Sequence, residues 1–534
     1  MPFQQYPSKG GVPSGTTAQR PSNPVIGDQY YDGDIGFLII WDGSKWLPCS
    51  APAAQPTIAV TDVGTNVAYG TVQGSVAFTE GTSGGKAAGF TGIQGSYTTT
   101  GTSSTQVVVI TGTPGSYIFS GTAYNGFGTS PAAVSVTQTL TSVPQAPTIG
   151  TASVATTAAD GANSDASVTW TLNANGGKNL TAIKVKAYSG ATLVSTTTAA
   201  TTSSTSATIT GLTAGTAYTF KVFASNANGD SADSSASNSV TMQAAAAFVV
   251  VAGGGGACGS GDAWTTSGGA GAGGFRTSAG TSGRNSSAEN PFLYTPGTSY
   301  TITVGGGGSG SASYSNTPTN GSNSVLSSIT SIGGGGSGNY STYAQNGGCG
   351  GSAGASSTDA YKVPGNGTAG QGFDGTAGHN YSQNYTNSGA GGAGAGGTGG
   401  SGLSTSTGGT GGTGIATTIS GSSVTYAGGG GGGSFTTGGT GGTGGGGNGG
   451  GLNTAGSNGS SNTGGGGGGS SVTTTASMTR AGGNGGSGII IIKVPNTRSA
   501  TFSGGVTQTM STAVSGYKIY TVTAAGSGDT VTIS

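Results

Sequence analysis

Charge is what this chain has least of. Of its 534 residues only 15 are basic and 15 acidic, and the formal net charge is zero. Neither nucleic acid nor an acidic membrane surface attracts such a chain by bulk electrostatics. Cysteine is also scarce. Cys49, Cys258 and Cys349 are far apart, odd in number and outside any metal-ligand spacing. They indicate no disulfide framework or zinc site, and buried free thiols are expected. The single histidine, His379 in "GHNYSQNY", has no nucleophile arranged beside it, so no catalytic triad is expected. Long apolar runs are missing too: "AAAAFVVVA" at 244–252 is too short to cross a bilayer. The start, "MPFQQYPSKGG", lacks the apolar core of a signal peptide, and a chain folded in a cytoplasm is expected.

Glycine, in contrast, occurs 116 times. Disorder goes with high charge and few aromatics. Here 20 Tyr, 14 Phe and 4 Trp are spread along nearly the whole length. A near-neutral chain of this kind stays soluble through Ser, Thr and Asn, which suggests a rigid, heavily hydrogen-bonded protein.

Five zones separate by composition, and together they predict an elongated, mostly β chain. Residues 1–52 carry short β-prone runs, Gln29 to Tyr31, Phe37 to Trp41 and Lys45 to Cys49, divided by Asp-Gly turns. They predict a small β meander with Trp41 and Trp46 as its main apolar mass. Zones 53–144 and 145–243 open with the proline joints "AAQPTIAV" and "VPQAPTIG" and continue in alternating Ser/Thr/Val-rich segments, the pattern of a β-sandwich. In the second of these, Val168, Trp170 and Leu172, then Ile183, Val185 and Ala187, then Tyr218, Phe220, Val222 and Ala224 each line one face. "SVTWTL" followed by "ITGLTAGTAYTFKVFASNANGDSADS" resembles strand B and the E–F corner of a fibronectin type III domain, with Leu212 and Tyr218 in the tyrosine-corner positions. Zone 53–144 has the similar ending "PGSYIFSGTAYNGFGTSPAAV" without a strand-B tryptophan, and reads as a fibronectin-like or immunoglobulin-like copy.

Zone 244–496 holds most of the glycine. It opens with "AFVVVAGGGG" and closes with "GGSGIIIIKVP", so its ends look built to pair, and "GYKIYTVTAAGSGDTVTIS" in zone 497–534 reads as a terminal hairpin. Ordering so many glycines costs roughly 0.5–1 kcal/mol each relative to alanine, a penalty on the order of tens of kcal/mol. Collagen does not fit, because there is no overall Gly-X-Y period and only 17 prolines. The ordered alternative is a bundle of polyproline-II-like glycine strands, close enough for lateral N–H···O=C bonds because no Cβ intervenes. In "YAGGGGGGSF" at 426–435, Tyr426 and Phe435 are then expected to cap a glycine rod where it meets the surface.

The words "VVVAGGGG", "TSYTITVGGGGSG", "NGSNSVLSSITSIGGGG", "GTGIATTISGSSVTYAGGGGGG", "AGGNGGSGIIIIKVP" and "GYKIYTVTAAGSG" resemble, in order, the glycine-rich domain of tail-fibre and other structural proteins of phages, especially those of marine bacteria. The first zone is similar to the small β module of virion appendages. The resemblance implies a poly-glycine II sandwich whose variable loops contact a host receptor, at 276–300, 311–320, 338–346 and 357–387. It also implies a virion protein anchored to other virion proteins through residues 1–52, with a host glycan or outer-membrane protein as partner. A homotrimer fits the small module sharing its core across a threefold axis.

Chemistry is largely rejected at this level. "GGKAAG" at Lys86 and "GGKNL" at Lys178 fail as phosphate loops at the residue after lysine. Glu289, Asp359 and Asp374 read as scattered surface carboxylates more readily than as a hydrolytic pair, and Asp28, Asp32 and Asp34 as a hairpin turn more readily than a calcium loop. No enzyme, cofactor or metal is expected. What remains is a set of loop side chains suited to sugar faces or protein contact: Trp264, Phe275, Arg276, Tyr294, Tyr314, Tyr340, Tyr343, Tyr361, Phe373, His379, Tyr381 and Tyr385. Each ring has a rival reading as a cap on the glycine core. The rival functions are a capsid or neck decoration that binds nothing specific, a bacterial surface adhesin, and a glycan depolymerase.

Overall fold

A computed structural model describes residues 13–34, 37–48, 52–81, 87–92, 98–100, 105–126, 128–157, 163–261, 265–339, 342–355, 363–378, 388–402, 407–473 and 478–534. Among them there is no α-helix. The chain divides into two compact units, Met1–Ser153 with Ser167–Ile209 and Ala217–Val240, and Val154–Ala166 with Thr210–Thr216 and Thr241–Ser534.

The first unit begins with strands Gln29–Asp32, Phe37–Trp41 and Trp46–Pro48 in antiparallel register, with Ser14–Gly15 added in parallel. Among the described residues of this sheet the buried apolar side chains are Tyr30, Ile39 and Leu47, while the two tryptophans lie half-buried against one another with ring centres 5.6 Å apart. Asp32 is wholly buried and held by Arg20 at 2.6 Å, so the Asp28–Asp34 stretch serves a structural ion pair. In zone 53–144 three short sheets enclose Val72, Val76, Phe78, Phe90, Phe119 and Leu140, with Phe78 stacked on Phe90 at 5.1 Å. Zone 145–243 has a three-stranded sheet, Thr148–Thr157, Asn163–Thr171 and Ser206–Thr213, and a five-stranded one built on Leu180–Ser189 and Ala217–Asn226. Val168, Trp170, Ile183, Val185, Ala187, Tyr218, Phe220, Val222 and Ala224 are buried as their alternation requires, as are Leu212 and Tyr218 at the corner.

In the second unit the two apolar ends of the glycine zone do pair. Strand Ala244–Val251 runs antiparallel to Ile489–Pro495, with Val251 opposite Ile489 and Ala247 opposite Lys493. Tyr517–Ala524 adds beside it and forms a hairpin with Thr507–Ser511. The terminal segment 516–534 is not itself a hairpin: Thr530–Ile533 crosses to a second sheet and pairs with Ser299–Thr303 and Ala500–Phe502. The runs are continuously apolar because this central sheet is covered on both faces. Phe248, Val250, Ile490, Ile492 and Val522 meet Ile302, Leu326, Val531 and Ile533 of the second sheet. Val249, Val251, Ile489, Ile491 and Ile519 meet Phe275, Ala272, Ala393, Ala395, Ile415 and Tyr426 on the other face.

From that second face the glycine chains extend as a lattice. The run 428–433 is its clearest interior chain. Gly428 and Gly431 donate to Gly444 and Gly447, Gly429 and Gly432 to Gly412 and Gly409, and Gly430 and Gly433 to Ala270 and Ser267, all at 2.9–3.1 Å. Their carbonyls accept from three further chains: Gly466 and Gly469, Gly442 and Gly439, Gly392 and Gly389. Each direction recurs after three residues, which is the screw of polyproline II, and six neighbours surround one chain. The same cycle holds for 268–273, where Gly268 and Gly271 reach Gly338 and Gly335, Gly269 and Ala272 reach Ala390 and Ala393, and Ala270 and Gly273 reach Gly467 and Gly464. Residues 428–433 do not have left-handed φ, so glycine is required for packing and not for torsion: a Cβ on Gly430 would fall on the Gly467 carbonyl. Where one row of a chain faces solvent, threonine replaces glycine at every third place, as at Thr407, Thr410 and Thr413, all exposed. Tyr426 and Phe435, expected at the surface, are instead 7% and 8% exposed, one at each end of the interior run.

Gly430→Ala is expected to destabilise the protein by on the order of 3 kcal/mol through overpacking, and the exposed-row change Thr410→Ala by less than about 0.5 kcal/mol. In a slack tract Gly→Ala would be neutral or stabilising by about 0.4–1 kcal/mol, so denaturant unfolding of the variants separates the two by sign.

Candidate functional site

The lattice has two ends. Its sheet end is the apolar cluster of Val249, Val251, Ile489 and Ile491. Chains run out from it and others run back: 252–261 runs out and 265–275 back, covering roughly 28 Å at about 3.1 Å per residue. The far end is held by paired flanks. Ser260 and Gly261 bridge Arg480 and Thr479, Thr265 and Thr266 pair with Val472 and Ser471, Ser388 bridges Ser434, and Thr407 bridges Thr437. Gly268 donates to Gly338, and the Asn339 amide donates to the carbonyls of Tyr314 at 2.8 Å and Gly259 at 3.4 Å. Beneath this end lies a buried hydroxyl layer. Ser260, Ser267 and Ser470 are fully buried; Ser470 Oγ lies 3.0 Å from Ser260 Oγ, and Ser267 donates to the Cys258 carbonyl at 2.6 Å. Burial pushes the Cys258 thiol up to about 11, and the fully buried Cys349 thiol further in the same direction.

The expected site residues divide between these ends. Tyr343 stands at the far end and is 64% exposed. Tyr314 is half-buried there, its ring lying against Gly261. Trp264, Tyr340, Tyr361, His379, Tyr381 and Tyr385 lie outside the described residues, as does Asp359. The described residues that flank their segments, Gly261 and Thr265, Asn339 and Thr342, Ala355, and Gly378 and Ser388, belong to the far end. Leu452, 57% exposed in the turn after Gly451, also belongs there and was missed. Its only signal is a lone large apolar residue in the polar turn "GLNTAG".

The expectations for Phe275, which is fully buried in the apolar cluster, and for Tyr294, Arg276 and Phe373 need correction. Tyr294 is a core residue: strand Phe292–Tyr294 pairs with Ala244–Ala246, and the ring is wholly buried, with its hydroxyl pushed up to about 12 by desolvation. Arg276 lies on strand Phe275–Thr277, beside fully buried Phe275, at the sheet end. Its guanidinium spends three of its five N–H groups on Glu289 (2.5 and 2.9 Å) and the Thr330 carbonyl (3.1 Å), so the correction concerns its place, at the sheet end and away from the far-end excursions. Phe373 is half-buried against the apolar cluster with the Arg284 guanidinium 5.7 Å from its ring centre. The excursion 276–300 thus belongs to the sheet end, because the chain alternates ends at every turn. Glu289 and Asp374 are each committed to an arginine, which leaves no free carboxylate pair among the described residues of that set.

Two family models match the chain. Residues 231–495 match the Glycine-rich domain and residues 152–240 the Fibronectin type III domain. Domains of the second kind are typically non-catalytic binding or structural modules. Similar solved structures include domains A168–A170 of titin, 19% identical over 39% of this chain and 76% of theirs with a TM-score of 0.22. Another is the FN1–FN3 part of chicken CNTN1, 14% identical over 38% of this chain and 76% of its own, with a TM-score of 0.21. No curated protein matches the chain.

Arg284 holds the Asp374 carboxyl below its ordinary value of 3.8, with the Gly367 amide adding to the effect. A lowered carboxylate contributes stability above its ordinary value and loses it as the pH falls through the folded value. Asp374→Asn should therefore cost at most about 1 kcal/mol at pH 7, as expected of a part-exposed pair. The difference from the parent should vanish near pH 2 in parallel unfolding curves.

Proposed function

We propose that this chain is a fibre protein of a phage particle, an adhesin that binds a glycan or outer-membrane protein of the host surface without covalent chemistry. Residues 1–52 attach it to other virion proteins, the two sandwich zones act as spacers, and the glycine lattice presents the receptor-binding excursions; assembly as a homotrimer suits the small N-terminal module. The observation that carries the reading is the convergence at one lattice end of the flanks of the segments containing Trp264, Tyr340, Tyr361, His379, Tyr381 and Tyr385, together with Tyr314 and exposed Tyr343. A lattice whose backbone groups are satisfied internally imposes no demand on what its turns contain, so those turns are free to carry recognition. Tyrosine gives contact area with little rotamer entropy lost on binding.

The test replaces the excursions 262–264, 312–317, 340–343, 356–362 and 379–387 with Ser/Gly segments of equal length in the full chain. Fluorescently labelled parent protein should bind cells of a susceptible marine bacterium and slow phage adsorption to them, and the replaced protein, folded to the same melting temperature, should do neither. Equal binding by the replaced protein contradicts the proposal, and failure of the parent to bind any cell of a broad panel favours a decoration fibre.

A further inference from the structure

We propose that the cleft at the sheet end of the glycine domain, between the loop 278–288 and the turn 368–371, is a subsite for one neutral sugar ring. Its volume is about 350 Å³, near the lower limit of ligand pockets and suited to a single ring, not a chain of them. The proposal rests on the adhesin reading only in choosing a glycan as the biological ligand, and it places a second contact away from the far-end excursions.

The walls are fixed from behind. Glu289 closes the loop by donating its amide to the Thr277 carbonyl at 2.9 Å, and Ser282 donates its amide to Ser286 at the same distance. Across the cleft, the Gln371 carbonyl accepts from Phe275 at 3.0 Å, while its side-chain oxygen accepts from Ile332 at 2.8 Å. Two consecutive non-glycine residues of the loop, Arg284 and Asn285, have left-handed φ of 56° and 55°. Such strain persists only where surroundings over-determine it, and it collects at ligand clamps. Here the Arg284 amide donates to Ala395 at 2.8 Å and its guanidinium chelates Asp374.

The exposed chemistry selects the ligand class. Arg276 and Glu289 neutralise one another, so a charged ligand gains little from either. Three of the five guanidinium N–H groups are used, by Glu289 and Thr330, leaving two donors, while the Glu289 oxygens accept from Arg276 and, at 3.3 Å, from the Ser282 hydroxyl. Vicinal hydroxyls, each able to donate and accept, match these two donors together with the serine hydroxyls that line the cleft. The hydroxyls of Ser286 and Ser287 have no partner among the described residues, and the Ala369 methyl with Gly370 supplies a small apolar patch for ring C–H groups.

The experiment is a titration of the full chain with the methyl pyranosides of glucose, galactose, mannose and N-acetylglucosamine, read by saturation-transfer NMR, with inorganic phosphate and acetate as charged controls. At least one sugar should bind in the millimolar range and neither anion should displace it. Ala369→Trp, which fills the cleft from an exposed position, and Ser286→Val, which removes a free hydroxyl, should each weaken binding at least tenfold with melting temperature unchanged. No sugar binding by the folded parent, binding equal in either folded variant, or displacement by phosphate overturns the proposal. Because no cells are involved, its failure leaves the far-end adhesin reading to be decided by cell binding alone.

Discussion

The second unit depends on one constraint: neighbouring backbones must approach until each amide reaches the next chain, and a Cβ prevents this. Around 428–433 every N–H and every C=O is used within the lattice, three chains accepting and three donating. Buried backbone groups must be paired, and a sheet meets this demand with two neighbours in one plane. Here it is met with six around an axis, so the interior contains almost no side chains. Stability comes from completed hydrogen bonding and close backbone contact instead of a large apolar core.

The lattice still needs an apolar base. The central sheet supplies one, buried on both faces, and the positions where alanine replaces glycine show where space remains: Ala272, Ala393 and Ala395 point their methyls into the cluster with Ile489 and Ile491. At the opposite end serine replaces glycine, where Ser260, Ser267 and Ser470 bond each other and nearby carbonyls. Asparagine closes edges by lending a side-chain carbonyl where a further chain is missing, as Asn320 and Asn323 do for Gly336 and Gly333. This gradient from apolar base to polar far end gives the proposed recognition by the far-end excursions a rigid support. Of the residues in those excursions, Thr319, Asn320 and Asn339 serve the lattice edge with their side chains, while the glycine chains beneath bond to one another through backbone groups.

Much of this was legible in the residues. The pairing of 244–252 with the end of the zone followed from two apolar runs too short to stand alone, and the buried faces of 145–243 followed from strict alternation. Less legible was which end each excursion occupies, because that depends on counting chain reversals through glycine runs of nearly identical composition. Arg276 looked free because its partner Glu289 is thirteen positions away across a loop. Tyr294 looked like loop because "FLY" is only three residues long between polar stretches, and its burial arises from pairing with Ala244–Ala246, far off in sequence. Thr530–Ile533 followed Tyr517–Ala524 so closely that a hairpin was the local expectation, but the strand serves a different sheet.

The most direct measurement is amide hydrogen exchange resolved across 428–433 and 464–469 in the intact protein. Every amide of 428–433 donates to a neighbouring chain, so those amides should exchange only through global unfolding, as slowly as the central strand Ala244–Val251 and far more slowly than the exposed strand Thr507–Ser511. Exchange at the rate of an unstructured peptide in those glycines, with the strand still protected, would contradict the lattice and remove the support on which the proposed binding end is built.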